Sequence, residues 1–188
     1  MNKMPKTLVG LDYSMTGPAI CICQGEFHIS NCQIYYMTDT IKYQGAFVHG
    51  HIIGHPFPHW ENDVERFHLI SEFFISKLKL FAHEDTKMNI EGYAMGARGR
   101  VFHIGENTGI LKYKLWEHNI KFDVVAPTRI KKQATGKGNA DKNIMYSYFE
   151  QETGINLRKA LDYTKTEISS PIGDIVDSYY ICKSLTLN

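Results

Sequence analysis

Asp12, Glu91, Asp174 and Asp177 are the residues of this chain whose type and spacing offer chemistry. Asp12 closes the apolar run Leu8-Val9-Gly10-Leu11, and Glu91 closes Met88-Asn89-Ile90. Asp174 and Asp177 stand three apart in Gly173-Asp174-Ile175-Val176-Asp177, a spacing that sets both on one side of a helix. Carboxylates at strand ends, drawn from distant parts of a chain, converge at one edge of a sheet. Once gathered they resist joint ionisation. Divalent cations of the Mg2+ or Mn2+ kind take oxygen ligands and resolve that repulsion. Two such ions about 4 Å apart serve both the attacking and the leaving oxygen of a phosphodiester hydrolysis, with no Ser/His/Asp triad.

A basic pattern accompanies the acids. Between Pro127 and Lys142 stand Arg129, Lys131, Lys132, Lys137 and Lys142 against the single acid Asp141. Arg98, Arg100, Lys112 and Lys114 form a second basic stretch. The net charge is only +1, so it is the distribution of charge that suits a polyanion. A solvated surface is the plain alternative for such runs. Tyr93, Phe102 and Tyr113 lie near these residues in the chain. Tyr93 is a candidate for stacking on an unpaired base, whereas Phe102 is expected in the core.

These side chains need elements to position them. Thr7 to Leu11, Ala19 to Cys23 and Phe27 to Tyr36 predict an antiparallel meander of strands, with a turn at Gln24-Gly25-Glu26. Residues 43 to 62, rich in Gly, Pro, His and aromatics, predict a long loop. Phe67, Ile70, Phe74, Leu78 and Phe81 recur at helical spacing and predict a helix from about Asn62 to Phe81. A strand from Lys87 to Ile90 leads into Glu91, and Tyr93 to Gly99 reads as a Gly-rich flexible segment. Then come a helix from Val101 to His118, a strand from Lys121 to Val125 stopped by Pro127, a helical turn to Ala134, a loop at Thr135 to Asn139, and a helix from Ala140 to Thr153. Residues 154 to 171 are polar and irregular. The last helix starts near Pro171, a favourable first-turn residue, and carries Asp174 and Asp177. The order predicts an α/β fold of the RNase H-like kind: a mixed five-stranded sheet, three antiparallel strands then parallel ones, flanked by helices in a single domain over 1–188.

Four segments, in order, resemble the RuvC-type Holliday junction resolvases, in particular a bacteriophage-encoded branch. They are Gly10-Leu11-Asp12-Tyr13-Ser14-Met15-Thr16-Gly17, Ile90-Glu91-Gly92-Tyr93, the basic segment with Lys131-x4-Gly136-x-Gly138-x-Ala140-x-Lys142, and Asp174-x-x-Asp177. The resemblance spans nearly the whole chain. The chain departs from the pattern in the length and histidine content of residues 43–62, in the linker from Gly154 to Pro171, and in an aromatic two rather than three positions after the glutamate.

The resemblance implies a metal-dependent, structure-selective endodeoxyribonuclease that resolves four-way and other branched DNA. For the two Mg2+ or Mn2+ ions that this chemistry calls for, Asp12 is expected to bridge, Glu91 and Asp177 to complete one shell and Asp174 the other. Lys131 and Lys142 would meet phosphate near the scissile bond, and Lys132, Lys137, Arg98 and Arg100 would make more general phosphate contacts. The resemblance also implies a homodimer, since paired nicks demand two active sites, with the helix from Val101 to His118 at or near the interface. Other readings stay open: an actin-like or sugar-kinase-like ATPase sharing the Asp-led glycine turn, a catalytically silent DNA-binding scaffold, or RNA processing on a related fold.

Composition bounds the rest. The chain has 188 residues, 43% hydrophobic and 22% charged, which suits a globular protein. No stretch approaches the roughly 18 apolar residues of a membrane span, and Met1 to Lys6 lacks a signal-peptide core. A cytoplasmic protein is expected, in the host bacterium if phage-encoded. Cys21, Cys23, Cys32 and Cys182 are expected as reduced structural thiols. His49, His51, His55 and His59 lack a nearby Cys or acidic pair to close a zinc site, and are expected in a loop facing DNA, a partner subunit or solvent.

Overall fold

Alternation of side chains across a strand decides how this chain is layered. In a computed structural model, residues 6–83, 85–93 and 101–186 are described. Strand β1 (Thr7–Asp12) is buried along nearly its whole length, as is β2 (Ala19–Gln24), so both their faces are covered. Val9, Leu11, Ile20 and Ile22 face α1 (Asp63–Phe81) and α2 (Val101–Glu117), meeting Ile70, Phe74, Leu78, Leu111 and Leu115. Leu8, Cys21 and Cys23 face the other way, toward Phe149 of α4 (Lys142–Thr153) and Ile175, Tyr179 and Cys182 of α6 (Ile172–Lys183). All four cysteines are buried and free.

The sheet has the order β4-β5-β3-β2-β1-β6-β7. Strands β1, β2 and β3 (Cys32–Met37) form the expected antiparallel meander. Strands β6 (Lys87–Glu91) and β7 (Asp123–Val125) follow in parallel on the far side of β1. These elements give the predicted mixed α/β sheet flanked by helices, but with seven strands among the described residues rather than five.

The two additional strands come from residues expected to form a loop. β4 (Gly45–Phe47) pairs antiparallel with β5 (Ile52–His55), and β5 pairs parallel with β3. Ile52 is buried between layers, and Gly54 lets the backbone close in: a methyl there would lie 2.7 Å from the Tyr36 ring. The Tyr36 hydroxyl donates to the Tyr43 carbonyl at 2.5 Å. Strands this short carry too few residues for alternation to stand out against glycine and proline. His51 and His55 serve this packing. A His51 ring nitrogen lies 3.1 Å from the Cys32 carbonyl, and the His55 ring meets Phe73 edge-on at 4.9 Å. Residues 154–171, expected to be irregular, contain the short α5 (Leu157–Ala160).

Capping fixes where the helices begin. The Asn62 side chain accepts from Glu65 N at the start of α1. α3 (Pro127–Thr135) ends on Gly136 in the left-handed region, and the Asp141 carboxylate accepts from Ile144 N to open α4. Lys142 is thereby the first residue of α4.

Gly10 brings α6 onto the sheet. A methyl on Gly10 would lie 2.6 Å from Cys182 Cα and closer still to Cys182 N and Ser178 O. The helix backbone therefore rests on the strand backbone, and Cys182 Sγ reaches the Leu8 carbonyl at 3.3 Å. Gly10→Ala is expected to cost about 2–3 kcal/mol through overpacking, read as a lower urea midpoint. Gly109→Ala, where nothing lies within 4 Å of an added methyl, should leave the midpoint unchanged or raise it. Equal midpoints for both variants would contradict this close approach.

Candidate active site

Parallel pairing of β1 with β6 matches Leu11 to Ile90, so Asp12 and Glu91 end neighbouring strands at the same edge. Asp12 shares its strand face with Leu8 and Gly10, the face that α6 covers. Glu91 shares its face with Asn89, whose amide donates to Ser184 Oγ just beyond α6 at 2.8 Å. Two residues of strand span about 6.6 Å and one helical turn about 5.4 Å. Since Gly10 meets Ser178, the helical turn before it sets Asp174 and Asp177 beside Asp12.

Lys142 completes the cluster. Its Nζ lies 3.5 Å from Asp174 Oδ1 and 3.8 Å from Asp177 Oδ2. A methyl on Gly17, in the β1–β2 turn, would lie 2.9 Å from Asp174 Cγ and from Ser170 Oγ, so the bare glycine forms a wall against this carboxylate.

Burial and mutual repulsion govern the protons here. Burial raises the Asp12 carboxyl well above its ordinary range, and Glu91, Asp177 and Asp174 add to the rise against Lys142. Glu91 is pushed up to about 7 by burial and by Asp177, with Lys131 and Lys142 opposing. Asp177 is pushed up to about 6 by burial, with Lys142 and Lys131 opposing and Asp174 assisting. Asp174 is also raised by burial, against Lys142 and the nearby Ser170 hydroxyl. Burial pulls the Lys142 ammonium down, but Asp174, Asp177 and Asp12 outweigh it and hold it above its usual value.

Four carboxylates outnumber the cations beside them, Lys142 and the more distant Lys131. Asp174 Oδ2 is buried with no hydrogen-bond partner, and an all-carboxylate donor set suits a hard divalent cation. The residues fit a Mg2+ or Mn2+ ion in chemistry. Among the described residues, no three His, Cys, Asp or Glu side chains already stand at metal-holding spacing. The counter-charge in this arrangement is the Lys142 ammonium, so ion binding requires the carboxylates to draw inward.

The remaining predicted residues divide. Lys131 on α3 is near enough to Glu91 and Asp177 to lower both. Lys132 and Lys137 are exposed. Tyr93 is 49% exposed, and Lys112 Nζ lies 5.3 Å from its ring centre. Arg98 and Arg100 lie outside the described residues. Lys114 is paired with Glu72 rather than free for phosphate. Phe102 is not in the core: it is 85% exposed, because the apolar stripe of α2 runs through Leu111 and Leu115 on another face. Gly17 and Ser170 were not legible as site residues, since nothing in their spacing shows that Asp174 packs against them. A groove of about 800 Å³ lined by Lys87, Trp116, Lys121 and Phe122 lies at the opposite ends of β6 and β7, away from the carboxylates.

No protein-family model and no curated protein matches the chain by sequence. Solved structures match by fold. Thermus thermophilus RuvC superposes with a TM-score of 0.55 at 14% identity, over 94% of this chain and 92% of that one. T. thermophilus RuvC in complex with a Holliday junction substrate gives 0.58 at 13% identity, over 95% and 92%. The yeast mitochondrial Holliday junction resolvase Ydc2 gives 0.54 at 12% identity, over 96% and 78%. The chain has the fold of these resolvases.

Proposed function

We propose that this protein is a Mg2+- or Mn2+-dependent endodeoxyribonuclease, of the bacteriophage-encoded branch of RuvC-type resolvases. It resolves four-way and other branched DNA by paired phosphodiester hydrolysis in the cytoplasm. The observation that carries this reading is the convergence of Asp12, Glu91, Asp174 and Asp177 at one sheet edge, with Lys142 among them. The shared fold with RuvC, solved in complex with a Holliday junction substrate, supports it. Among the described residues no helix is long and apolar enough to cross a membrane.

Asp12, Glu91, Asp174 and Asp177 would hold the ions. When bound, these would neutralise charge on the phosphate and lower the pKa of the attacking water. The chain's own residues do the rest. Lys142, already held by Asp174 and Asp177, is aimed into the pocket where phosphate charge develops. Lys131, Lys132, Lys137, Arg98 and Arg100 bind the backbone, and Tyr93 offers a ring for an unpaired base. Two symmetric cuts require two copies. The exposed Phe102, Tyr113 and Trp116 on α2, at 85%, 59% and 72%, support that helix as the face between them.

A metal-titrated cleavage assay tests the reading, with a synthetic four-way junction beside a linear duplex of the same sequence. Paired nicks in the junction with Mg2+ or Mn2+, none in EDTA, and little cutting of the duplex are expected. Equal cutting of both substrates removes the structure selectivity, and ATP hydrolysis without nicking removes the nuclease.

A further inference from the structure

We propose that Arg66 is a positioning residue for the carboxylate pocket, acting through the turn from Tyr13 to Gly17, and that residues 43–62 brace it through Trp60. The inference rests on the nuclease reading and extends it to a role for the added segment.

Arg66 lies in the first turns of α1, and its Nη2 donates to the Met15 carbonyl at 2.6 Å, a short bond of the charge-assisted kind. The guanidinium lies 4.6 Å from the Trp60 ring centre, and Trp60 meets Phe57 edge-on at 6.1 Å. A guanidinium stacked on an indole is held in plane, so its fork donates in a set direction. Among the described residues Arg66 joins no ion pair, and the carboxylates find their cation in Lys142.

The turn it holds has the pocket on both sides. It leaves Asp12 directly, and Ser14 Oγ closes it by accepting from Gly17 N at 3.0 Å. Gly17 then forms the wall against Asp174 and Ser170. Movement of the Met15 carbonyl therefore shifts the residues beside Asp12 and the surface that orients Asp174. Trp60 and Phe57 belong to the segment 43–62, which adds β4 and β5 to the sheet and ends on the guanidinium that holds this turn.

The test compares wild type with Arg66→Gln, Arg66→Lys, Trp60→Ala and Trp60→Phe. Two readouts are independent of cutting: the Mn2+ concentration at the midpoint of the thermal shift, and exchange of the Gly17 amide in EDTA. Arg66→Gln should raise the Mn2+ midpoint by up to about tenfold, the lower end of what loss of a group bonded directly to a ligand costs, and speed Gly17 exchange while the Val9 to Leu11 amides keep their protection. Arg66→Lys should recover only part, Trp60→Ala should move both readouts less in the same direction, and Trp60→Phe should match wild type. Arg66→Gln with a wild-type Mn2+ midpoint and Gly17 exchange, or with only a lower melting temperature, overturns the positioning role. Wild-type protein that shows no Mn2+ shift overturns the nuclease reading instead.

Discussion

Asp12→Asn is expected to reduce junction cutting by at least ~100-fold while leaving junction binding in the absence of divalent metal intact. Asn keeps the shape of the side chain and removes its charge. Asp12 ends β1 beside Glu91 on β6, and each of Glu91, Asp174 and Asp177 repels its ionised form. A position that repels anions from three directions is where a divalent cation is held most strongly, and loss of an inner ligand costs more than the 10- to 100-fold typical of outer-shell partners. The basic residues of α3 and α4 are untouched, so phosphate binding persists. Normal cutting by Asp12→Asn would mean that the pocket is not the site of reaction.

The second large effect is on stability. Glu91 is held at about 7 and Asp177 at about 6, above their ordinary values of 4.5 and 3.8. Between those values the folded protein binds more protons than the unfolded chain, so stability falls as pH rises. The favourable contribution is fully present below about 4, and it is lost as pH climbs through 6 and 7. EDTA-treated protein should therefore melt on the order of 10 °C lower at pH 8 than at pH 5. Mn2+ at pH 8 should recover most of that loss, because a bound cation replaces the missing protons. Replacing both residues, by Glu91→Gln and Asp177→Asn, should make the pH profile shallower, with the remaining slope due to Asp12 and Asp174, which burial still raises, and should raise the metal-free melting temperature at pH 8. A wild-type profile as flat as that of the double variant would contradict the crowding of carboxylates.

Much of this was legible in the sequence, because the relevant signals are local. The apolar run before Asp12 and the short run before Glu91 mark strands that end in acids. Helical spacing from Phe67 to Phe81 marks α1, and Asp141 before Lys142 is an ordinary helix cap. The meander, the order of the later strands and the likeness of four segments to the RuvC-type resolvases followed from such patterns. The errors came where neighbours overrode local character. Residues 43–62 look like a loop by composition, yet Ile52 finds a buried place beside β3 and Gly54 a close one beside Tyr36. Phe102 looks like core by type, yet the buried stripe of α2 passes it by.

Charge, strand periodicity and helix spacing are properties of residues a few positions apart, so the chain alone settles which acids end strands and which two share a helix face. How near those acids come is a matter of residues from 32 to 174 positions apart. It depends on α6 resting against the bare Gly10 backbone, on Lys142 standing between Asp174 and Asp177, and on Arg66 reaching back to Met15. Those contacts exist only once the layers pack, because steric fit and burial arise between elements and not within them.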